Sequence, residues 1–466
     1  MKVAFFEFNQ NPWHLGLAFE IAQREIFKGN QVEFYFLGHI VEDNYRNIYA
    51  HPNRLIRKSF LPESRIGRKL EKKFASQFKY FDKALLTEKI FYPEKDLYDK
   101  AKYAANHDLI DEVRDSEPIF ELHNEALQRK IAAYKKTYIE VSSLINIKKI
   151  NRIYTFNGRF LHEKAVWDAA ADWGIPCFFH EKFEPNWGNR YWIFKKGVHD
   201  SVERAAVINN HWDSQSIDTE EKIEAGKRWL EQRQSRKSQN YTKLQTRGSS
   251  ITGSERFVLF LHSSDDELIA SGLGFSEFWG RQEQAILKLN DYFQEKSALK
   301  LVIRVHPNLL TRSQNEQIRW LNTFKRLNAL VIPPESSLDT YQLIIDSEAV
   351  LSFGSTAGIE ASLLRKPSLL LGPALHQDLG ATISVQSELV LTKILEDVKN
   401  QTLDISKVIL QAQKYAFFYA VGGEVFTFNK IIGNIDSQDP DMKVLGIKLK
   451  YRSVLQKFAM LTGKFL

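Results

Sequence analysis

A strand-turn-helix pattern in residues 350–361 carries side chains that suit phosphate binding. The segment reads Val-Leu-Ser-Phe-Gly-Ser-Thr-Ala-Gly-Ile-Glu-Ala, an apolar run followed by a polar turn and then helical spacing. The first N–H groups of a helix lack partners within the helix, so this turn suits an anion. Glu360 would lie one helical turn further on, where a carboxylate can accept hydrogen bonds from ligand hydroxyls. An ordinary β-loop-α turn is the alternative, because short glycine motifs are common.

Polar residues follow other predicted strands as well. The carboxyl ends of parallel strands meet at one edge of a sheet, and ligands of open α/β sheets bind beyond that edge. Because polar clusters recur after several predicted strands, the sequence predicts a cleft between two α/β domains that binds a polar, phosphorylated ligand. The six clusters are Asn11 to His14, Asn157 to Arg159, His180 with Glu181, Ser263 to Glu267, Arg304 to Asn308, and Ser355 to Gly358.

Glu181 and His14 are the predicted acid-base residues of the first half. Glu181 follows an apolar strand, and partial desolvation of a carboxylate at the mouth of a cleft raises its pKa toward that of a general base. A salt bridge to Lys182 or Arg190 is the alternative. His14 is predicted to be catalytic or to contact an acceptor, unless it caps its helix or lies satisfied in the core.

Two further side chains are predicted to bind the ligand directly. Arg159, on the same turn as Asn157, offers a planar fork for phosphate or carboxylate, against the alternative of a surface ion pair. His306 stands beside the polar Arg304 and is predicted to contact the ligand, against the alternative that it only ends its strand.

Several chemistries are disfavoured. No Gly-x-Gly-x-x-Gly follows the first strand, which argues against a nicotinamide dehydrogenase, and no Walker loop is present. Asp439-Pro440-Asp441 matches a bare Asp-x-Asp pattern of the kind that binds a metal. It lies in a terminal linker and not after a nucleotide-binding strand, so we do not predict a metal site there. Asp265 and Asp266 could coordinate a Mg²⁺ ion together with a diphosphate, and this possibility stays open. We nevertheless expect no metal and no other cofactor.

Composition indicates a soluble, cytoplasmic protein of two or three domains. The chain has 466 residues, and its single cysteine excludes an internal disulfide. The opening Met-Lys-Val-Ala-Phe-Phe-Glu-Phe reads as a strand, because Glu7 interrupts the apolar run that a signal peptide needs. No apolar run approaches the roughly 20 residues that cross a bilayer. The net charge of +7 favours anionic partners, but we expect no nucleic acid.

The pattern of apolar spacing and polar stretches divides the chain into five parts. We predict an α/β class with two Rossmann-like domains facing across a cleft, the first carrying a helical insertion at about 40–147. The parts are 1–240 (acceptor side), a linker at 231–256, 256–404 (nucleotide side), a crossover helix at 405–435 and a basic amphipathic tail at 443–466.

Taken in order, these motifs resemble bacterial capsule and surface polysaccharide glycosyltransferases of the GT-B fold. The resemblance covers roughly residues 150–380 and is more specific as a series than in any single motif. It rests on Phe156-Asn-Gly-Arg-Phe160, Glu181, Ser263-Ser-Asp-Asp-Glu267, Gln282, Ile303-Arg-Val-His-Pro-Asn308, Ser336-Ser-Leu-Asp-Thr-Tyr341, Gly354-Ser-Thr-Ala-Gly-Ile-Glu-Ala361, Lys366-Pro367 and Gly372.

The resemblance implies that the second domain binds a nucleotide-sugar donor and the first binds a glycan or lipid-linked acceptor. Ser355, Thr356 and Gly358 would hold the donor phosphate, Glu360 would meet the ribose or donor sugar, and His306 would approach the leaving group. Such enzymes need no metal, because helix dipoles and cations stabilise the departing nucleotide. One departure is His376, which stands where the family often has Tyr. The remaining donor-side residues are Ser263, Ser264 and Arg304.

Two other function classes stay open. The His-Pro-Asn segment and the glycine turn with its glutamate also resemble sugar-nucleotide 2-epimerases, which would act on a nucleotide sugar without an acceptor. A non-catalytic glycan-binding or assembly protein is the third reading.

The basic tail predicts attachment to an anionic membrane surface. On a helical wheel, Ile447, Tyr451 and Val454 share one face with later apolar residues, flanked by lysines and arginines. A terminal helix packed on the protein core is the alternative. With a basic stretch at 54–73, this pattern predicts a cytoplasmic protein bound peripherally to the inner face of the bacterial cytoplasmic membrane.

Overall fold

A computed structural model describes residues 1–8, 11–37, 62–81, 94–183, 190–235, 245–251, 255–432 and 441–449. The chain divides into two compact units. Unit 1 comprises Met1–Asp108, Phe120–Val198 and Gly423–Leu466, and unit 2 comprises Leu109–Ile119 and His199–Gly422.

The described elements alternate between strands and helices along most of the chain. The strands are β1 (Lys2–Glu7), β2 (Gln31–Phe36), β3 (Phe78–Phe81), β4 (Arg152–Phe156), β5 (Cys177–Lys182), β6 (Arg190–Phe194), β7 (Phe257–Leu261), β8 (Lys300–Arg304), β9 (Leu330–Ile332), β10 (Ala349–Ser352), β11 (Ser368–Leu370), β12 (Ile383–Ser384), β13 (Glu424–Val425), β14 (Lys430–Ile432), β15 (Asp441–Val444) and β16 (Ile447–Leu449). The helices are α1 (Pro12–Phe27), α2 (Pro62–Lys73), α3 (Glu94–Val113), α4 (Asn124–Lys148), α5 (Leu161–Asp172), α6 (Ser201–Ser214), α7 (Thr219–Gln234), α8 (Asp265–Ala270), α9 (Gln282–Glu295), α10 (Gln314–Phe324), α11 (Thr340–Asp346), α12 (Ala357–Leu363), α13 (Glu388–Lys399) and α14 (Ser406–Val421), with 3-10 turns at Phe120–His123, Pro307–Thr311 and Gln377–Leu379.

Unit 1 is built on a largely parallel sheet. Seven of the described strands pair in the order β13-β6-β5-β4-β1-β2-β3. The five from β5 to β3 are parallel, whereas β6 and β13 are antiparallel to their neighbours. Helix α1 packs its apolar side on one face of the sheet, and α5 covers the other face, where Trp167 contacts Phe179. Counted along the chain, the parallel strands follow the 3-2-1-4-5 order of doubly wound nucleotide-binding folds.

Unit 2 contains a second parallel sheet. Six described strands pair in the order β12-β11-β10-β7-β8-β9, all parallel, which is the 3-2-1-4-5-6 order of the dinucleotide-binding fold. Every residue of β7 is buried, as expected for a central strand covered on both faces. The prediction of two Rossmann-like α/β domains is therefore confirmed.

The structure differs from the predicted boundaries at three places. Strand β3 lies inside the insertion that the sequence predicts to be helical, and it extends the sheet of unit 1. Unit 1 gives way to unit 2 after Val198, not near residue 240, so α6 and α7 belong to unit 2. Helix α7 runs to Gln234, into the predicted linker at 231–256, of which residues 236–244 and 252–254 lie outside the described residues.

The C-terminal predictions also change. The crossover helix predicted at 405–435 ends at Val421, and the chain then returns to unit 1 through β13 and β14. The tail begins with an antiparallel hairpin, β15 and β16, so Ile447 lies in a strand and not in a helix. Met442 and Val444 are buried in the core of unit 1. The rest of the tail, from residue 450, and the basic residues at 54–58 lie outside the described residues. Over the described parts of the chain, every helix is too short or too polar to span a bilayer.

Candidate functional site

Each sheet has a point where the strand order reverses, and ligands of open α/β sheets bind there, beyond the carboxyl ends of the strands. In unit 1 the reversal lies between β1 and β4. Along the chain, β1 precedes the helix that carries His14, and β4 is followed directly by Asn157. In unit 2 it lies between β7 and β10, which lead into Ser263 and Ser355. Topology thus collects the polar clusters at two strand-end sites, one in each unit.

In unit 1 the structure brings Asn157 and Glu181 together. Asn157 Nδ2 donates a hydrogen bond to Glu181 Oε2 at 2.5 Å, and the Lys182 main-chain N–H donates to Glu181 Oε1 at 2.9 Å. Burial raises the pKa of the Glu181 carboxyl despite the lowering effect of these two donors. A carboxylate with a raised pKa and a fixed orientation has the properties of a general base.

His14 lies on the opposite face of the sheet from Glu181. Its ring stacks on Phe156 with the centroids 3.7 Å apart, and Phe156 also neighbours His180. Successive strand residues point to opposite faces, so His180 and Glu181 are separated by the sheet. Burial lowers the pKa of His14 well below its usual value, which keeps the ring neutral, and Nδ1 meets no hydrogen-bond partner among the described residues. Because they lie on opposite faces of the sheet, His14 and Glu181 cannot serve as the general base at the same place.

A buried carboxylate-imidazole pair in unit 1 was not predicted. His180 Nε2 lies 2.7 Å from Glu7 Oε1, and neither side chain is exposed to solvent by more than 1%. Burial raises the pKa of Glu7, against the opposing effect of His180. The feature of the sequence that could have revealed this pair is Glu7, a carboxylate in an otherwise apolar strand.

Arg159 lies on the turn after β4, and a second buried carboxyl, Glu163, lies near the start of the helix that follows. Its main-chain N–H donates to Asn157 Oδ1 at 3.2 Å, and its guanidinium lies 4.3 Å from the centre of the Phe160 ring. Glu163, in the first turn of α5, is buried, and burial raises its pKa to about 8. The positive charge of Arg159 has a smaller, opposing effect that lowers the pKa of Glu163. Sequence analysis passed over Glu163, because an acidic residue in the first turn of a helix is ordinary.

In unit 2, Ser263 is committed to the scaffold at the strand reversal. Its hydroxyl donates to the Phe353 carbonyl at 2.7 Å, and its main-chain N–H donates to Gln282 Oε1 at 2.8 Å. Ser263 thereby ties the end of β7 to the loop after β10. The adjacent Ser264 is half-buried and begins α8.

The loop after β10 satisfies much of its own backbone, contrary to expectation. The Ala357 N–H donates to Ser355 Oγ at 3.2 Å, and the Gly358 N–H donates to the Ser355 carbonyl at 3.1 Å. A ligand phosphate would compete with these bonds. Ser355 is half-buried and Thr356 is exposed, so both remain accessible at the strand reversal.

Gly358 has a packing role, and the phosphate contact stays a prediction. A Cβ atom there would lie 2.9 Å from Ser352 Oγ and 3.2 Å from Ser368 Oγ, both on strands of the sheet. The missing side chain lets α12 approach the sheet closely.

Both carboxylate oxygens of Glu360 accept hydrogen bonds from side chains of unit 2. Arg233 Nε donates to Glu360 Oε1 at 2.6 Å, and the Tyr341 hydroxyl donates to Oε2 at 2.7 Å. The carboxylate is 3% exposed, and a buried charge needs such partners. Glu360 therefore links α7, α11 and α12, and its contact with a donor stays a prediction.

Arg304 is likewise turned into the protein. Its guanidinium donates to the carbonyls of Pro333 and Ser336 and, through Nε, to Thr340 Oγ1 at 3.4 Å. Burial lowers its pKa to about 10, which leaves it charged at neutral pH. Arg304 thereby holds the loop between β9 and α11, and its contact with a donor stays a prediction.

His306 has a defined tautomer at the end of β8. The Asn308 N–H donates to His306 Nδ1 at 3.0 Å, so the proton of the neutral ring resides on Nε2. Burial lowers the pKa of His306 to about 4, which keeps the ring neutral at pH 7. The His306 main-chain N–H donates to Nδ1 of buried His262 at 3.3 Å. His306 can therefore offer an N–H donor without carrying charge.

Of the two aspartates that the sequence left open as a Mg²⁺ site, Asp266 is paired with an arginine, as is its neighbour Glu267. Arg312 Nε donates to Asp266 Oδ1 at 2.8 Å, and Arg312 Nη2 donates to Glu267 Oε1 at 2.9 Å. The side chain of Asp265 lies outside the described residues. A carboxylate paired with arginine is a poor ligand for Mg²⁺, since the guanidinium already balances its charge.

His376 is buried after β11, and neither ring nitrogen meets a hydrogen-bond partner among the described residues. Burial lowers its pKa to about 4. The ring therefore presents one donor and one acceptor.

Comparisons with known proteins give remote structural likenesses only. No protein-family model and no curated protein matches the chain. It is similar to Thermosulfurimonas dismutans KpsC, a beta Kdo 2,4 transferase, at 14% identity, with 57% of this chain and 79% of that chain covered and a TM-score of 0.36. It is similar to a UDP-GlcNAc 2-epimerase from Neisseria meningitidis at 12% identity, covering 90% and 99%, with a TM-score of 0.26. Acinetobacter baumannii MurG is 9% identical, with 89% and 94% covered and a TM-score of 0.27. Likenesses at this level decide neither activity nor substrate.

Proposed function

We propose that this protein is a nucleotide-sugar-dependent glycosyltransferase that builds a bacterial capsule or surface polysaccharide. The observation that carries the proposal is the strand order of unit 2. Its reversal between β7 and β10 carries Ser264, Ser355 and Thr356, at the place where nucleotides bind in this sheet topology. The motif resemblance suggests that the bound nucleotide carries a sugar. Glu181 in unit 1 is the proposed base for the transfer of that sugar.

In the proposed reaction, Glu181 accepts the proton of an acceptor hydroxyl. The hydroxyl oxygen bonds to the anomeric carbon of the donor sugar as the bond from that carbon to the phosphate oxygen breaks. The bonding electrons leave with the nucleotide, and the His306 Nε2–H donates a hydrogen bond to the departing phosphate. Asn157 supports this role of Glu181, because its amide, together with the Lys182 main-chain N–H, fixes the orientation of the carboxylate.

A sugar-nucleotide 2-epimerase is the second candidate, and a non-catalytic glycan-binding protein is the third. Incubation with UDP-, GDP- and CMP-sugars, with and without a lipid-linked glycan acceptor, separates them. The transferase releases nucleotide only when acceptor is present, an epimerase interconverts the sugar without acceptor, and a binding protein does neither. A thermal-shift screen over the same nucleotides checks donor binding, since a ligand of the folded state raises the melting temperature. Epimerised sugar without acceptor would refute the proposal.

We further propose that the protein attaches peripherally to an anionic membrane surface. Helix α2 exposes Arg65, Arg68 and Lys72, and Lys69 Nζ donates to the Leu445 carbonyl at 2.7 Å. That contact joins the helix to the β15–β16 hairpin, which exposes two further lysines, Lys443 and Lys448. Together they support an electrostatic contact with acidic headgroups.

Co-sedimentation with liposomes tests the attachment. Binding should require anionic lipid and weaken in high salt. A chain ending at Leu449 removes residues 450–466 of the tail but keeps the buried residues of the hairpin, and it should bind less. Replacement of Arg65, Arg68 and Lys72 of α2 by glutamate should weaken the remaining binding to anionic lipid. Equal sedimentation of all variants with anionic lipid, or equal binding of the full chain to neutral and anionic lipid, would reject the proposal.

A further inference from the structure

Unit 1 contains a cavity of about 360 Å³ away from its strand-end site. It lies on the face of the sheet that carries α1, and β4, β6 and the segment after β13 complete its walls. His14 begins α1, whereas Ile21 and Lys28 line the cavity from the second half of that helix. A helix rises about 1.5 Å per residue, so the cavity lies about 10–20 Å further along α1 than His14. Its volume falls within the range of small-molecule sites, about 300–1,000 Å³.

Two tyrosine-carboxylate pairs face this cavity. The Tyr154 hydroxyl donates to Glu25 Oε1 at 3.3 Å, and the Tyr191 hydroxyl donates to Glu424 Oε2 at 3.2 Å. Both distances exceed the roughly 2.7–2.8 Å typical of O–H···O bonds.

In each pair the tyrosine makes the longest hydrogen bond to its carboxylate. Lys28 Nζ lies 2.9 Å from Glu25 Oε1, and Arg24 Nη1 lies 2.6 Å from Glu424 Oε2. A ligand hydroxyl placed in either pair could donate to the carboxylate and accept from the tyrosine. Two short bonds would then replace one long bond.

The charges of the lining balance. Arg24 and Lys28 face Glu25 and Glu424, and each cation is already paired with one of these carboxylates. An anionic ligand would gain no unpaired cation there, and a cationic ligand would gain no unpaired carboxylate. Burial raises the pKa of both tyrosines, so their hydroxyls stay protonated donors.

We propose that this cavity binds one unit of a neutral saccharide. Its hydroxyls would bridge the two tyrosine-carboxylate pairs, and its C–H faces would pack on Ile21, Ile193 and the Phe428 ring. The site needs neither donor nucleotide nor Glu181, so it goes beyond the proposed transfer reaction. It would hold a glycan at a point remote from the chemistry.

Saturation-transfer NMR on the full chain tests this site. The probes are glucose, galactose, N-acetylglucosamine and maltotriose, with N-acetylneuraminic acid as the anionic comparison. The test variant is the double substitution Tyr154→Phe and Tyr191→Phe, which removes both hydroxyls and keeps both rings. Tyr35→Phe is the matched control, because Tyr35 donates to Glu33 Oε2 at 2.5 Å in the same sheet but does not line the cavity.

We expect at least one neutral probe to bind the wild type and the Tyr35→Phe control alike, and to bind the double variant at least fivefold more weakly. The single variant Tyr191→Phe, with an unchanged melting temperature, provides the same comparison if the double variant fails to fold. Absence of transfer from every neutral probe, equal binding by the double variant, or tighter binding of N-acetylneuraminic acid would overturn the proposal. Nucleotide-induced thermal shifts, measured in parallel, report on the proposed donor site independently.

Discussion

His180 and Glu7 form a buried hydrogen bond of 2.7 Å that spans the end of β4, although 173 residues separate them in the chain. The pair joins β1 to β5 beside the reversal point of the unit 1 sheet. Because both groups are out of solvent, each depends on the other for its polar partner.

Removing the Glu7 carboxyl should therefore destabilise unit 1. Glu7→Ala leaves His180 Nε2 without its buried partner, which costs about 1–3 kcal/mol, whereas Glu7→Gln keeps a hydrogen-bonding group. Urea unfolding should show a lower midpoint for Glu7→Ala than for Glu7→Gln. Equal midpoints for the two variants would show that the pair contributes little to folding.

Loss of the Asn157 amide should shift the pH dependence of turnover. Its hydrogen bond lowers the pKa of Glu181, so Asn157→Ala should raise that pKa and move the acidic limb of the pH–rate profile to higher pH. Glu181→Gln should reduce turnover by roughly 10²-fold or more, with nucleotide affinity unchanged, because the base is lost. An acidic limb at the same pH in Asn157→Ala would assign that limb to another group.

Glu163 should make the protein less stable as pH rises. Its pKa of about 8 in the folded state lies above the unfolded value of about 4.3, so its contribution is fully present below pH 4.3 and lost as pH rises through 8. Glu163→Gln mimics the protonated form and should gain stability relative to the wild type between pH 5 and 8. The control is Glu125→Gln, an exposed glutamate in the first turn of α4. Parallel stability curves for wild type and Glu163→Gln would contradict the assignment.

The packing of α12 on its sheet should couple Gly358 to Ser352. Gly358→Ala places a methyl group 2.9 Å from Ser352 Oγ and should destabilise unit 2 by about 1–3 kcal/mol. Ser352→Ala removes that oxygen, which is buried without a hydrogen-bond partner among the described residues. The double variant should recover part of the loss in a double-mutant cycle on unfolding free energies. Strict additivity would mean that the strain of Gly358→Ala is relieved elsewhere.

The elements around both sites were predictable from the sequence, because hydrophobic runs and turn residues act locally. The strand at Arg152–Phe156 and the loop after β10 occur where the apolar spacing and the glycine turn indicate them. The residues that follow each strand were consequently identified, including Asn157, Glu181 and His306. Parallel pairing then brings strand ends to one edge, whatever the details of packing.

What each side chain does there was decided by the tertiary structure. Glu360 accepts a hydrogen bond from Arg233, which lies on a helix 127 residues earlier in the chain. Arg304 donates to carbonyls of a distant loop. Strand β3 joined the sheet of unit 1 from a segment whose sequence pattern was helical. The spacing of apolar residues predicts which face of a helix or strand is buried, but it does not predict which residues that face contacts. A buried charge takes whichever partner the packing brings within about 3 Å, and that choice belongs to the fold.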